Sequence, residues 1–204
     1  MKKNRKILVL INFFALFSIY LFAAEKTEDI SAKTAVIFNT LCAKCHEGQC
    51  SGRLSFDTGS DAASNHIKRY SDSSNISKGE IKEFFSLLNY MKKECLLLMP
   101  DDGKWEIGSL SRFALPSHKG YFIPLGVLKS GDYYLVIKTK ESVRFRIEVI
   151  SNSFDAYLDQ TVCSNTKERL FNFTLDESLN SFLRIRSKEA LHITALEIKK
   201  ACDK

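Results

Sequence analysis

Between Ser31 and Met99 apolar residues recur every three or four positions, and from Trp105 onward they mostly alternate one by one. The first spacing belongs to helices with one buried face, the second to strands with one wet face. The switch falls at Met99-Pro100-Asp101-Asp102-Gly103, where turn-forming residues cluster. This divides the chain into a helical domain, residues 25–103, and a strand-rich domain, residues 104–204. No internal repeat or low-complexity run interrupts either half.

Three helices account for the first half. The first, about Ala32 to Lys44, sets Phe38, Leu41, Cys42 and Cys45 on one stripe. The second, about Asp61 to Tyr70 with Ser60 as cap, lines up Ala63, His66, Ile67 and Tyr70, and both faces read as buried. The third starts at Ser77, where Glu80 three residues on makes a capping box, and carries Ile81, Phe84, Phe85, Leu88, Met91 and Cys95 to Leu98.

The second half reads as about eight short strands. Val143, Phe145, Ile147 and Val149 alternate with Arg144, Arg146 and Glu148, which form the wet face of that strand. Phe171 to Leu175 and Leu191 to Ala195 alternate in the same way, and Gly120 to Leu128, Tyr133 to Thr139, Phe182 to Arg186 and Leu110 to Leu115 read as strands beside them. One apolar face per strand predicts an antiparallel β-sandwich, jelly-roll-like, and the fold class is α+β.

Charge changes this picture less than its total suggests. The 204 residues hold 30 Lys and Arg against 24 Asp and Glu, a net of +6. Four of the positive charges, Lys2, Lys3, Arg5 and Lys6, precede the uncharged stretch Ile7 to Ala24, which ends in small residues before Glu25. This pattern predicts a secretory signal at residues 1–24, with an uncleaved anchor as the alternative. Without it the balance is near neutral, so neither a nucleic-acid partner nor a membrane contact beyond the signal is expected. Export also permits oxidised or covalently modified cysteines.

Six cysteines then need an explanation, and two lie in Cys42-Ala-Lys-Cys45-His46. Cys-x-x-Cys-His is the attachment sequence of a c-type haem. One turn of helix carries two thiols to the two porphyrin vinyl groups and the adjacent imidazole to the iron from the same side. A thioredoxin-like pair lacks the strand that should precede it, and a zinc site lacks its second pair of ligands. One covalent haem c is therefore expected on Cys42 and Cys45, with His46 as iron ligand. For the opposite side of the iron the candidates are His66, Met91, Cys95 and Met99; each also fits an ordinary core or surface role.

In this region the chain resembles the c-type cytochromes, with Phe38 four residues before Cys42 and a later helix carrying Leu88, Tyr90 and Met91. It departs from the short members of that family in having no Met between His46 and Ser77. A closer resemblance is carried by Leu41-Cys-Ala-Lys-Cys-His46, Gly52-Arg-Leu-Ser-Phe-Asp57, His66-Ile-Lys-Arg-Tyr70 and Tyr90-Met-Lys-Lys-Glu-Cys95, followed by a β-rich half. These blocks are similar to the small subunits of the Nax-type heterodimeric His/Cys-ligated cytochromes of anaerobic ammonium-oxidising bacteria. The resemblance implies a three-helix cytochrome c-like haem domain, Cys95 as distal ligand, NO binding, a second haem subunit as heterodimer partner, and an extracytoplasmic home such as the anammoxosome lumen.

If Cys95 is the ligand, its thiolate favours Fe(III), the reduction potential is low, and loss of Cys95 on reduction opens a position for NO or CO. The rival is a simple electron carrier with a His or Met ligand. A carbohydrate-binding module with an accessory haem domain is the reading from another class, although Trp105 is the only Trp. No enzymatic activity is assigned: peroxidase-like chemistry needs a distal acid–base pair, and His66 is the only further histidine in the helical half. Arg53, Lys68 and Arg69 are candidates for pairing with haem propionates. Cys163 and Cys202 are candidates for a disulfide, with Cys50 left over or paired with Cys95.

Overall fold

The computed structural model describes residues 30–46, 60–72, 75–100, 105–163 and 167–201. The signal at 1–24, Cys50, Arg53 and Cys202 lie outside the described residues. Within them no helix is long and apolar enough to cross a membrane.

Ser31 starts α1 (Ala32–Ile37), its hydroxyl accepting from the Thr34 amide at 3.2 Å and donating to Glu83 at 2.7 Å. The helix continues without a break through a π turn, Phe38–Cys42, into α2 (Ala43–His46). In that turn the Ala43 amide donates to the Phe38 carbonyl five residues back. One extra residue in a turn rotates everything downstream by about 100°. The expected single stripe is therefore split: Phe38 is buried, Leu41 and Cys42 are half-buried and Cys45 is exposed.

The second helix, α3, spans Ser60–Tyr70. Of its expected apolar face only Ile67 is buried; His66 and Tyr70 are exposed, their rings 4.8 Å apart. That face is thus corrected to a narrow strip. The third helix, α4 (Lys78–Glu94), begins with the expected capping box, Ser77 and Glu80 each accepting from the other's amide. It buries Ile81, Phe84, Leu87, Leu88 and Met91. It stops four residues short of the expected end, because Cys95 takes a left-handed conformation at φ 54° and its amide closes on the Met91 carbonyl. Beyond it Leu96 to Met99 belong to no helix or strand.

Among the described residues seven strands follow: β1 (Gly120–Leu128), β2 (Gly131–Thr139), β3 (Phe145–Ser151), β4 (Ala156–Val162), β5 (Glu168–Leu175), β6 (Leu179–Ser187) and β7 (Ile193–Lys200). They form two antiparallel sheets, in the orders β1-β6-β3-β4 and β5-β2-β7. The chain is α+β with a sandwich of these sheets. Two strand expectations are corrected. Leu110 to Leu115 is mostly a 3-10 helix, Ile107–Phe113, capped by Glu106 and Ser109, and it pairs with the sheet at the Ala114–Tyr121 bridge. β4 was not expected: as an edge strand it buries only Leu158 and Val162, so its polar sequence hides it.

The two sheets differ in what covers them. β2 and β5 bury every second residue and keep a wet face with Tyr134 and Leu170 exposed. In the first sheet the runs Gly120 to Pro124 and Ser181 to Ile185 are buried throughout. Pairing register sets Gly120, Phe122, Arg186, Arg184, Phe182, Arg146, Glu148 and Ile150 on its outer face, and α1 with its π turn packs there. At Gly120 an added Cβ would stand 2.8 Å from both the Ile185 carbonyl oxygen and Thr40 Cγ2. Glycine is what lets the helix approach so closely. Helical and sheet residues consequently share one continuous buried cluster.

Candidate haem-attachment site

The Cys42-Ala-Lys-Cys45-His46 run occupies the end of the π turn and α2. Ala43 is fully buried, whereas Cys42 and His46 are half-buried and Cys45 is exposed. Two thiols and an imidazole thus come from one helical turn whose other side is packed inward. This donor set fits covalent haem attachment. Burial, with the charge of Cys45 beside it, pushes the Cys42 thiol up to about 12.

The inward side meets charge rather than hydrocarbon. Glu148, expected on a wet face, is buried with Arg184 at 4% and 3% side-chain exposure, and their atoms meet at 2.9 and 3.2 Å. Arg186 adds a 2.9 Å hydrogen bond to the same carboxylate, and Arg146 stands 3.7 Å away while also pairing with Asp159. The expectation fails because the π turn packs on this sheet and Lys44 of α2 lies beside the cluster. Burial pushes the Glu148 carboxyl up, but the hydrogen bond and charge of Arg184, then Arg186 and Arg146, outweigh it and hold it below the usual range. Lys44 faces the cluster: its own burial, then Arg186 and Arg146, lowers its ammonium pKa.

The distal candidates separate. Met91 is buried in the α4 core and His66 is exposed on α3. Cys95 is half-buried at the end of α4, and Met99 is buried four residues later. The chain between them is held on two sides. Asn39 Nδ2, from the π turn, donates to the Leu98 carbonyl at 2.9 Å. The Leu97 amide donates to the Asn152 carbonyl at 2.7 Å, and the Asn152 amide to that of Asn180 at 2.9 Å. The Cys95–Met99 segment is therefore clamped between the helix that carries the motif and the turn between β3 and β4.

Asn39 is fully buried, and its Oδ1 finds no partner among the described residues. Sequence reasoning passed over it, although a polar Asn39-Thr40 pair inside Ala35-Val36-Ile37-Phe38 and Leu41 was a visible signal. Phe38 and Phe84, with ring centroids 6.4 Å apart, join the same helix to α4. Lys68 and Arg69 are exposed on α3, and Cys163 is exposed while its expected partner lies outside the described residues.

No family model matches the chain, and no curated protein matches it. Among solved structures it is similar to one titled "CBM4 structure and function", at a TM-score of 0.33 and 16% identity over 40% of this chain. The match spans 61% of that structure's chain. At this level the likeness assigns nothing to the sandwich.

Proposed function

We propose that this chain is an exported monohaem c-type cytochrome whose three helices form a cytochrome c-like haem domain, and that it binds NO or CO or transfers electrons at low potential. The observation that carries this reading is the Cys42, Cys45, His46 set on one accessible helical turn, with Ala43 turned inward. Bound haem would supply one-electron chemistry and, with Cys95 released on reduction, a position for a diatomic gas. Cys42 and Cys45 would hold it covalently and His46 would hold its iron. Attachment would add the S–H of each thiol across a vinyl C=C, sulfur going to one carbon and hydrogen to the other; Cys42 is half-buried there and Cys45 is exposed.

In this reading Cys95 would be the second side chain to hold the iron, supported by the resemblance and by its place at the start of the segment that Asn39 holds through Leu98. As a thiolate it would favour the oxidised iron and lower the potential. The sandwich would then serve as the support against which this segment is held. The test is the full chain produced with haem-maturation machinery: covalent haem by mass, lost in Cys42→Ala/Cys45→Ala, and an oxidised EPR spectrum that changes in Cys95→Ala. An intact haem with an unchanged Cys95→Ala spectrum would leave the cytochrome assignment standing and remove Cys95. Absence of covalent haem would overturn the whole reading.

A further inference from the structure

At one end of the sandwich three connections meet: Ser117-His118 before β1, Glu141 after β2 and Leu191-His192 before β7. Backbone bonds hold them, from Leu191 N–H to the His118 carbonyl and from Lys140 N–H to the His192 carbonyl, at 2.9 and 2.8 Å. The Tyr121 hydroxyl donates to the Leu191 carbonyl at 2.8 Å, and the Ser117 amide to Asp72 at 3.1 Å. The imidazoles of His118 and His192 lie with ring centroids 4.7 Å apart at an interplanar angle of 33°.

Glu141 fixes the chemistry of one ring. Its carboxylate accepts from the His192 amide at 2.7 Å and lies 2.7 Å from His192 Nδ1. A carboxylate in that place accepts a hydrogen bond from Nδ1, which leaves Nε2 as the ring nitrogen that can ligate. A histidine whose other nitrogen donates to a carboxylate is the arrangement that metal-bound histidines adopt. On the second ring, His118 Nδ1 is buried with no partner among the described residues.

A ring separation of 4.7 Å suits a shared ion as well as a simple stack. With metal–nitrogen bonds of about 2.1 Å, each ring centroid lies about 3.2 Å from a shared ion. Centroids 4.7 Å apart then correspond to a nitrogen–metal–nitrogen angle of about 95°, close to the cis angle of tetragonal or octahedral sites. Among the described residues no three His, Cys, Asp or Glu side chains are gathered as ligands. The pair leaves the remaining positions to water.

We infer that His118 and His192 form a two-histidine site for a divalent transition-metal ion, with Glu141 orienting His192. The site uses none of the haem-attachment residues, so it stands or falls separately from the proposed function. The test is equilibrium dialysis of the untagged full chain against Ni(II) and Zn(II), with the thermal unfolding midpoint followed alongside. One ion per chain is expected, with a rise in midpoint on binding. Affinity should fall by about 10- to 100-fold in Glu141→Gln, as for outer-shell partners elsewhere, and further in His118→Ala and His192→Ala. Failure of the wild-type chain to take up either ion at about 100 μM would overturn the site whatever the variants do. So would uptake that His118→Ala and His192→Ala, folded by circular dichroism, leave unchanged.

Discussion

Glu148 and Arg184 face one another across β3 and β6, 2.9 Å apart and almost wholly out of water, directly behind the turn that carries the two thiols. A buried carboxylate held by one full and one partial partner, with a third guanidinium close by, cannot lose its charge cheaply. Glu148→Gln strands Arg184 at 3% exposure and is expected to destabilise the protein by about 3–5 kcal/mol. Glu168→Gln, which breaks the exposed Lys138 pair at 3.0 Å, should cost less than about 1 kcal/mol. Urea unfolding of the two variants checks the contrast.

The same carboxylate sets an acid limit. Its folded pKa lies below the ordinary value, so its contribution is complete above the unfolded pKa of about 4.3 and is lost as pH falls through the folded one. Stability measured between pH 6 and about pH 3 should decline steeply in the wild type and less steeply in Glu148→Gln. Equal slopes would remove Glu148 as a cause.

Asn39 joins the motif helix to the segment after Cys95. Asn39→Ala leaves the Leu98 carbonyl without its buried donor and should cost about 1–3 kcal/mol. Hydrogen exchange at the Leu97 amide should quicken at the same time, because the opposite hold, on Asn152, then acts alone. Destabilisation without faster exchange at Leu97 would show that the two holds do not act on one segment.

Gly120 has no room for a methyl group. Gly120→Ala should destabilise by about 1–3 kcal/mol, since neither the Ile185 carbonyl nor the packed Thr40 can withdraw freely. Thr40→Ser removes Cγ2 and should recover part of the loss; a double-mutant cycle in urea measures how much.

In the haem-free chain the two thiols of the motif should differ in reactivity. With Cys42 half-buried and its thiol pushed up to about 12, and Cys45 exposed, alkylation at pH 8 should label Cys45 first. Peptide mapping after timed quenching gives the ratio.

Local rules made much of this molecule legible in the sequence. The Ser77–Glu80 box placed the start of α4 because capping depends on residues a few positions apart, and alternation placed β2 and β5 because each has one wet face. What escaped depends on neighbours distant in the chain. Glu148 looked solvated because alternation reports a strand's own pattern and not the helix laid over it. β4 was invisible because an edge strand can be polar, and α4 ended early because Cys95 adopts a left-handed conformation rarely seen in non-glycine residues. At the site, Cys42, Cys45 and His46 are contiguous and so were readable, whereas Asn39 and Asn152 act only once the chain returns to Leu97 and Leu98.

The π turn at Phe38–Cys42 makes angular phase, rather than length, the quantity that this helix conserves. Deleting a single residue from the turn would leave a sound α-helix hardly shorter than before, yet swing Cys42, Cys45 and His46 by about 100° relative to Asn39 and Thr40. The thiols would then point toward the sheet or the helix would lift from it. Homologues that keep both contacts must therefore keep the inserted residue as well, and an alignment that closes it as a one-residue gap would pair the wrong faces.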